Sequence, residues 1–263
     1  MIDNNMPGGA VRRLQADPAM ARLSRSLAYY YGDTGREVAI DGMYRRFVRP
    51  GDLVFDIGSH VGDRVACFRR LGARVVAVEP QPLCMRALRE LYGSDSRVAL
   101  VEAACGDTDG TVQLLVNSTN PTTSTNSRTF AVAANGSRGW ENEIWDAEIA
   151  VRSLTLDALI RRFGLPAFIK IDVEGYEDIV LAGLTRPVPA LSFEFTTIVR
   201  DVAERCLARA DELGYAGFDL SVGESMAWAF GRWIDRAEMV RHLVSLPHEV
   251  NAGDIYAVRR ACR

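Results

Sequence analysis

The sequence almost lacks lysine. Of its 31 basic residues, Lys170 is the single lysine and all the others are arginine. The ordinary source of such a bias is a GC-rich bacterial genome. Lysine and arginine are not interchangeable where a compact point charge is needed, so the one lysine marks its own position for attention. A charge excess of one sign is also missing. The net charge is −3, which removes any global electrostatic case for nucleic-acid binding. No apolar run approaches the roughly 18–20 residues of a membrane span. Met1–Ala10 is polar and glycine-rich, unlike a secretory leader. Five cysteines (Cys67, Cys84, Cys105, Cys206, Cys262) show no CxxC or other metal-ligand spacing. Their odd number and scatter predict buried thiols in a reducing cytoplasm, not a disulfide framework.

What remains is ordinary globular composition: 263 residues, 48% apolar and 25% charged. That suits one domain, or one domain with appendages. Met20, Leu23, Leu27 and Tyr30 recur on one helical face within Pro18–Tyr31, and Val38–Val48 reads as extended. Residues 1–48 therefore form a helical and extended cap. Pro50-Gly51-Asp52 is a turn signal. A β/α rhythm then runs through 49–263. Strands are expected at 53–57, 74–78 and 98–103, with helices at about 63–71 and 82–92 between them. It resumes with strands at 167–172 and 190–195 and helices at 155–163, 175–184 and 201–213. A strand near 217–221, a helix at 235–246 and a last strand at 254–258 complete it. The predicted fold class is α/β: a mostly parallel, Rossmann-like sheet with a final antiparallel strand and helices on both faces. The rhythm is interrupted over about 111–152. There Val112–Val116 and Ala147–Val151 read as strands, and Asn117–Arg128 is a Ser/Thr/Asn-rich loop. Insertions of this length are more often functional than idle.

Two stretches carry the chemistry. In the first, the apolar run Leu53–Phe55 ends at Asp56 and breaks into Gly58-Ser59-His60-Val61-Gly62. Open α/β sheets bind nucleotide-like cofactors at such a strand–turn–helix junction. His60 stands where the second glycine of a dinucleotide fingerprint would be, which weakens pyrophosphate cradling. S-adenosylmethionine has no phosphate. It needs a turn for its amino-acid moiety and an acid for its ammonium group, and Asp56 is a candidate for that acid, directly or through the loop. Glu79, followed by Pro80 at the end of the next strand, is placed to accept ribose hydroxyls. The small residues Ala103-Ala104-Cys105 should border the adenine. In the second stretch, Lys170-Ile171-Asp172-Val173-Glu174-Gly175, two acids follow a buried strand. Glu194 ends the neighbouring strand. Acids converging there raise one another's pKa, so one can act as general base toward a hydroxyl. The alternative is a divalent cation held by Asp172, Glu174 and Glu194. Lys170 would balance their charge. His60 is a further candidate base, while packing is the ordinary fate of a lone histidine. For Asp172 and Glu194 the ordinary alternatives are helix capping and a plain strand end.

With Asp56-Ile-Gly58-Ser59-His60-Val-Gly62, Val78-Glu79-Pro80, Leu154-Thr155-Leu156-Asp157 and Lys170-Ile-Asp172-Val-Glu174-Gly175 in place, the chain resembles the FkbM family of S-adenosylmethionine-dependent methyltransferases over about 50–195. The family often has Ala-Asn where this chain has Ser59-His60. The resemblance implies a class I methyltransferase sheet and O-methylation of hydroxyls on glycans, polyketides or related natural products. It implies Asp56, Gly58 and Gly62 on the methionine side, Glu79 at the ribose and Asp172 at the reacting centre. The acceptor is then a small molecule or glycan, and the insertion with Trp140 and Trp145 is its wall. The rivals are a non-catalytic cofactor-binding subunit and a nicotinamide oxidoreductase, the latter disfavoured by His60.

Overall fold

Among the described residues, the cap that precedes the sheet contains helices and turns and no strand. The computed structural model describes residues 8–259, and Cys262 and the first seven residues lie outside that range. The cap comprises α1 (Gly8–Ala16), a 3-10 turn (Pro18–Leu23), α2 (Ser24–Tyr31) and α3 (Thr34–Tyr44). Met20, Leu23 and Leu27 pack against Val61, Cys84 and Ala87, so the predicted apolar face persists across the 3-10 break. The extended segment expected over 38–48 is instead α3 and the turn after it. Asp33 caps this helix by accepting from the Gly35 amide. Ile40, Met43 and Tyr44, spaced i, i+3, i+4, are buried, while Val38 is exposed. Burial of one helical face overrides the strand preference of the branched residues.

The first half of the main domain follows in order: β1 (Leu53–Ile57), α4 (Asp63–Arg70), β2 (Arg74–Val78), α5 (Pro82–Tyr92) and β3 (Val98–Val101). Next come β4 (Ala104–Cys105), β5 (Gly110–Val116), α6 (Arg128–Ala134) and β6 (Ala147–Leu154). The second half is α7 (Leu156–Phe163), β7 (Phe168–Ile171), α8 (Glu177–Ala182), β8 (Ala190–Thr196), α9 (Arg200–Glu212), β9 (Tyr215–Val222), α10 (Arg236–Ser245) and β10 (Ala252–Arg259). Seven strands form one sheet in the order β3-β2-β1-β7-β8-β10-β9. The first five are parallel, and β10 lies antiparallel between β8 and β9. This is the expected Rossmann-like α/β sheet. Both faces are covered: Val54, Tyr44, Phe68 and Phe168 pack on one side, and Phe55, Ile169, Phe193 and Leu207 on the other. Double coverage explains why the strands read as unbroken apolar runs. Strand order reverses between β1 and β7, which opens a crevice at their C-terminal ends.

The interruption is itself folded. β4, β6 and β5 form a small three-stranded sheet, and α6 starts where the predicted Ser/Thr/Asn-rich loop ends. Ser127 caps α6 by accepting from the Phe130 amide. Phe130 is fully buried, and its ring meets those of Trp140 and Trp145 edge to face with centroids 5.0 and 5.8 Å apart. The Trp140 indole donates to Asn251 Oδ1, and that of Trp145 to the Thr123 carbonyl. Trp140 thus ties the insertion to the domain, while Trp145 braces the insertion internally; neither lines the cleft at which an aromatic acceptor wall is expected.

Candidate active site

The turn after β1 is held from three sides. The Gly58 and Ser59 amides both donate to the Val78 carbonyl at the end of β2, at 2.9 and 3.1 Å. Tyr31 and Tyr92 donate their hydroxyls to the carbonyls of Val61 and Gly62. Gly58 has φ +79°, and a Cβ there would sit 1.7 Å from the Asp172 carbonyl. Gly58 is therefore the point where the turn touches the end of β7. Gly62 has φ +84°, and a Cβ would strike Tyr92 and Leu88. Glu79, only 3% exposed, accepts from the His60 amide through Oε2 and from the Gln81 amide through Oε1, each at 2.8 Å. Burial pushes its pKa up to about 8, although those two amide bonds favour the charged form.

A narrow cleft opens over this turn. Gly58, His60, Glu79, Pro80, Ala104 and Asp172 line one side, and Pro121, Thr122, Ser124 and Asn126 of the insertion line the other. With Ala103 and Cys105, which also line it, the cleft gathers eight of the residues selected from sequence. Asp56, Ser59 and Gly62 do not reach its wall. Asp56 is fully buried beneath the turn, and neither of its carboxylate oxygens has a hydrogen-bond partner among the described residues. Burial raises its pKa to about 7, even though Lys170 favours its charged form. Ser59 is spent on the turn, its hydroxyl donating to the Asp56 carbonyl.

Behind the cleft lies the acidic cluster. Lys170, 2% exposed, places Nζ 2.6 Å from Asp172 Oδ2 and 3.9 Å from Asp254 Oδ1. Burial disfavours its charge, but Asp172 and Asp254 outweigh that and raise its pKa. Burial likewise works against the Asp172 carboxylate, yet Lys170 and His60 hold its pKa below the usual range. Asp172 Oδ1, Glu174 Oε2 and Glu194 Oε2 are buried and unpaired among the described residues. Burial, and then the Asp172 charge, push Glu174 and Glu194 well up. Burial pushes the His60 pKa down, against the neighbouring Asp172 charge. Thr125 donates to the Glu174 carbonyl at 2.7 Å, which ties the insertion to this second turn.

A family model described as the methyltransferase FkbM domain matches residues 56–205, more than half of the chain. The chain belongs to the FkbM methyltransferase family. It is an S-adenosylmethionine-dependent methyltransferase. Several solved structures are similar to it. Precorrin-6y C5,15-methyltransferase from Geobacter metallireducens is 11% identical with TM-score 0.42, over 85% of this chain and 87% of that one. Fibrillarin from Aeropyrum pernix, in complex with natively bound S-adenosyl-L-methionine, is 12% identical with TM-score 0.44, over 81% and 68%. An S-adenosylmethionine-dependent O-methyltransferase from Thermotoga maritima is 15% identical with TM-score 0.40, over 88% and 66%. No curated protein matches the chain.

Two supports of this methyltransferase's site have no local sequence signal. Glu177 Oε1 accepts from the Val173 and Gly175 amides and so braces the second turn. Arg36 and Arg64 both pair with Asp63 and with Glu224. That quartet clamps the cap and the loop after β9 onto the start of α4. Its members lie up to 188 positions apart, and only the fold brings them together. The histidines outside the cleft behave as surface and helix residues: His242 lies on α10 against Phe230, and His248 in a short 3-10 turn. Among the described residues no helix is long and apolar enough to cross a membrane.

Proposed function

We propose that this methyltransferase transfers a methyl group to a hydroxyl oxygen on a sugar, glycoconjugate or related natural product. The observation that carries the reading is the set of buried, unpaired carboxylate oxygens on Asp172, Glu174 and Glu194 beside the cleft. An alcohol is a poor nucleophile until its proton leaves, and a carboxylate whose pKa burial has raised is a stronger base than an exposed one. The Thr122, Ser124 and Asn126 side of the cleft adds hydroxyl and amide groups suited to a polyol.

The residues present fit the cofactor. Glu79 is braced through both oxygens by backbone amides and keeps lone pairs for ribose hydroxyls. Ala103, Ala104 and Cys105 leave flat space for adenine. Bound there, S-adenosylmethionine supplies a sulfonium methyl group and leaves as the thioether S-adenosylhomocysteine. Asp172 Oδ1 faces the reacting region, held there because Lys170 occupies Oδ2. Glu194 Oε2 takes the acceptor's proton. Orientation between the two walls supplies much of the acceleration.

The test is methyl transfer from isotopically labelled S-adenosylmethionine to a panel of glycosides, catechols, amines and carboxylic acids, with product linkage read by NMR. Ether formation on sugar hydroxyls is expected. Transfer confined to nitrogen or carboxylate acceptors would overturn the reading.

A further inference from the structure

His60 and Glu174 share a backbone feature that joins the two turns. Both are non-glycine residues in the left-handed region, with φ +47° and +59°. Such conformations are costly for ordinary side chains and persist where the surroundings enforce them. Here they bring an imidazole from the β1 turn and a carboxylate from the β7 turn to the same place, with Asp172 between. Donor atoms of His60, Asp172 and Glu174 lie within 4.8 Å of one another. The residue Glu174 is 7% exposed, and its Oε2 has no hydrogen-bond partner among the described residues; the same holds for Asp172 Oδ1. A buried carboxylate without a partner is costly unless something cationic completes it. Lys170 is already engaged with Asp172 Oδ2.

We propose that His60, Asp172 and Glu174 form a binding site for one divalent metal ion, opening onto the acceptor side of the cleft. One imidazole with two carboxylates suits a cation of intermediate hardness, of which Mn²⁺ is the best probe. A cation bound about 2.0–2.3 Å from each donor draws the donors to roughly 3–3.5 Å apart. Side-chain rotation supplies that adjustment, because Asp172 and Glu174 each have a free oxygen and the His60 ring lies at the cleft wall. Three protein ligands leave coordination positions for oxygens of an acceptor, and Glu194 stays outside the set as the proton acceptor. The site deepens the hydroxyl-methylation reading and rests on it for its purpose, but its existence is tested separately.

The experiment titrates Mn²⁺ into the full chain, following the loss of free-ion signal by electron paramagnetic resonance. Spin-echo modulation then reports a coordinated imidazole nitrogen. One site per chain with a histidine signature is expected. Glu174→Gln should weaken Mn²⁺ at least tenfold, and His60→Asn, chosen because asparagine tolerates a left-handed backbone, should abolish the nitrogen modulation. Circular dichroism and a cooperative urea transition show in parallel that both variants are folded. Absence of a site in the wild type, or a site untouched by both substitutions, overturns the proposal. If the cofactor product binds and hydroxyls are methylated without any Mn²⁺ site, the metal inference fails alone. If Mn²⁺ binds through His60 but no hydroxyl is methylated, the acceptor reading fails and the site stands.

Discussion

The turns after β1 and β7 begin alike and end differently. Each leaves a buried parallel strand at an aspartate, each contains one non-glycine residue at positive φ, and they touch where Gly58 meets the Asp172 carbonyl. The backbone of the first turn is satisfied: its amides and carbonyls bond to Val78, Glu79, Tyr31 and Tyr92, and only the Asp56 carboxylate beneath it has no partner among the described residues. The second is braced by Glu177 but leaves carboxylate oxygens without partners. A satisfied turn gives a rigid seat, and an unsatisfied one offers groups to something that arrives. Stability and reactivity are thus divided between two neighbouring loops of similar form.

That division can be broken most severely at the contact itself. Gly58→Ala should cost about 3–5 kcal/mol in urea unfolding and remove cofactor binding, because both a positive φ and a backbone clash are imposed. A loss under about 1 kcal/mol would mean that the turns do not touch. Next is the acid beneath the first turn. The folded-state pKa of Asp56 is raised to about 7, so the native state binds the extra proton between about pH 4 and 7. Its destabilising effect is absent below the unfolded pKa, grows as pH rises, and is complete above 7. Asp56→Asn should therefore leave stability near pH 4 little changed and raise it at pH 8 by an amount on the order of a few kcal/mol. A stability difference independent of pH in denaturant titrations would contradict this.

The two turns should then separate in kinetics. Asp172→Asn is expected to lower turnover about 100-fold or more, while calorimetric affinity for S-adenosylhomocysteine changes only a few-fold. Glu79→Ala is expected to do the reverse at the binding step, weakening that affinity about 30-fold through the hydrogen bonds lost to the ribose hydroxyls. If both variants lost binding and turnover together, the seat and the reacting groups would not be separable.

Local pattern accounts for much of this arrangement. The strands β1 and β2 and the helix α5 fall where periodicity and the Pro82 start put them, because each is an apolar pattern bounded by turn residues. Glu79, Gly58 and Asp172 are legible in the sequence for the same reason: strand ends are local features, and strand ends in parallel sheets share one edge. The N-terminal cap departs from its pattern at Val38–Val48, where branched residues suggest extension and burial of Ile40, Met43 and Tyr44 decides for helix. Trp140 and Trp145 depart from the platform expected of them because a sequence does not say which face an indole presents. In the fold, both rings meet Phe130 edge to face.

The sequence by itself therefore determined the sheet, the family and the strand-end acids, since all three depend on short-range pattern and spacing. Only the tertiary structure decided which acids stay unpaired. Lys170 reaches Asp172 and leaves Glu174 and Glu194 without partners, and Arg36 and Arg64 spend their charge on Asp63 and Glu224. Pairing is a competition among groups brought together from distant positions, and its outcome depends on distance and burial that no local pattern encodes.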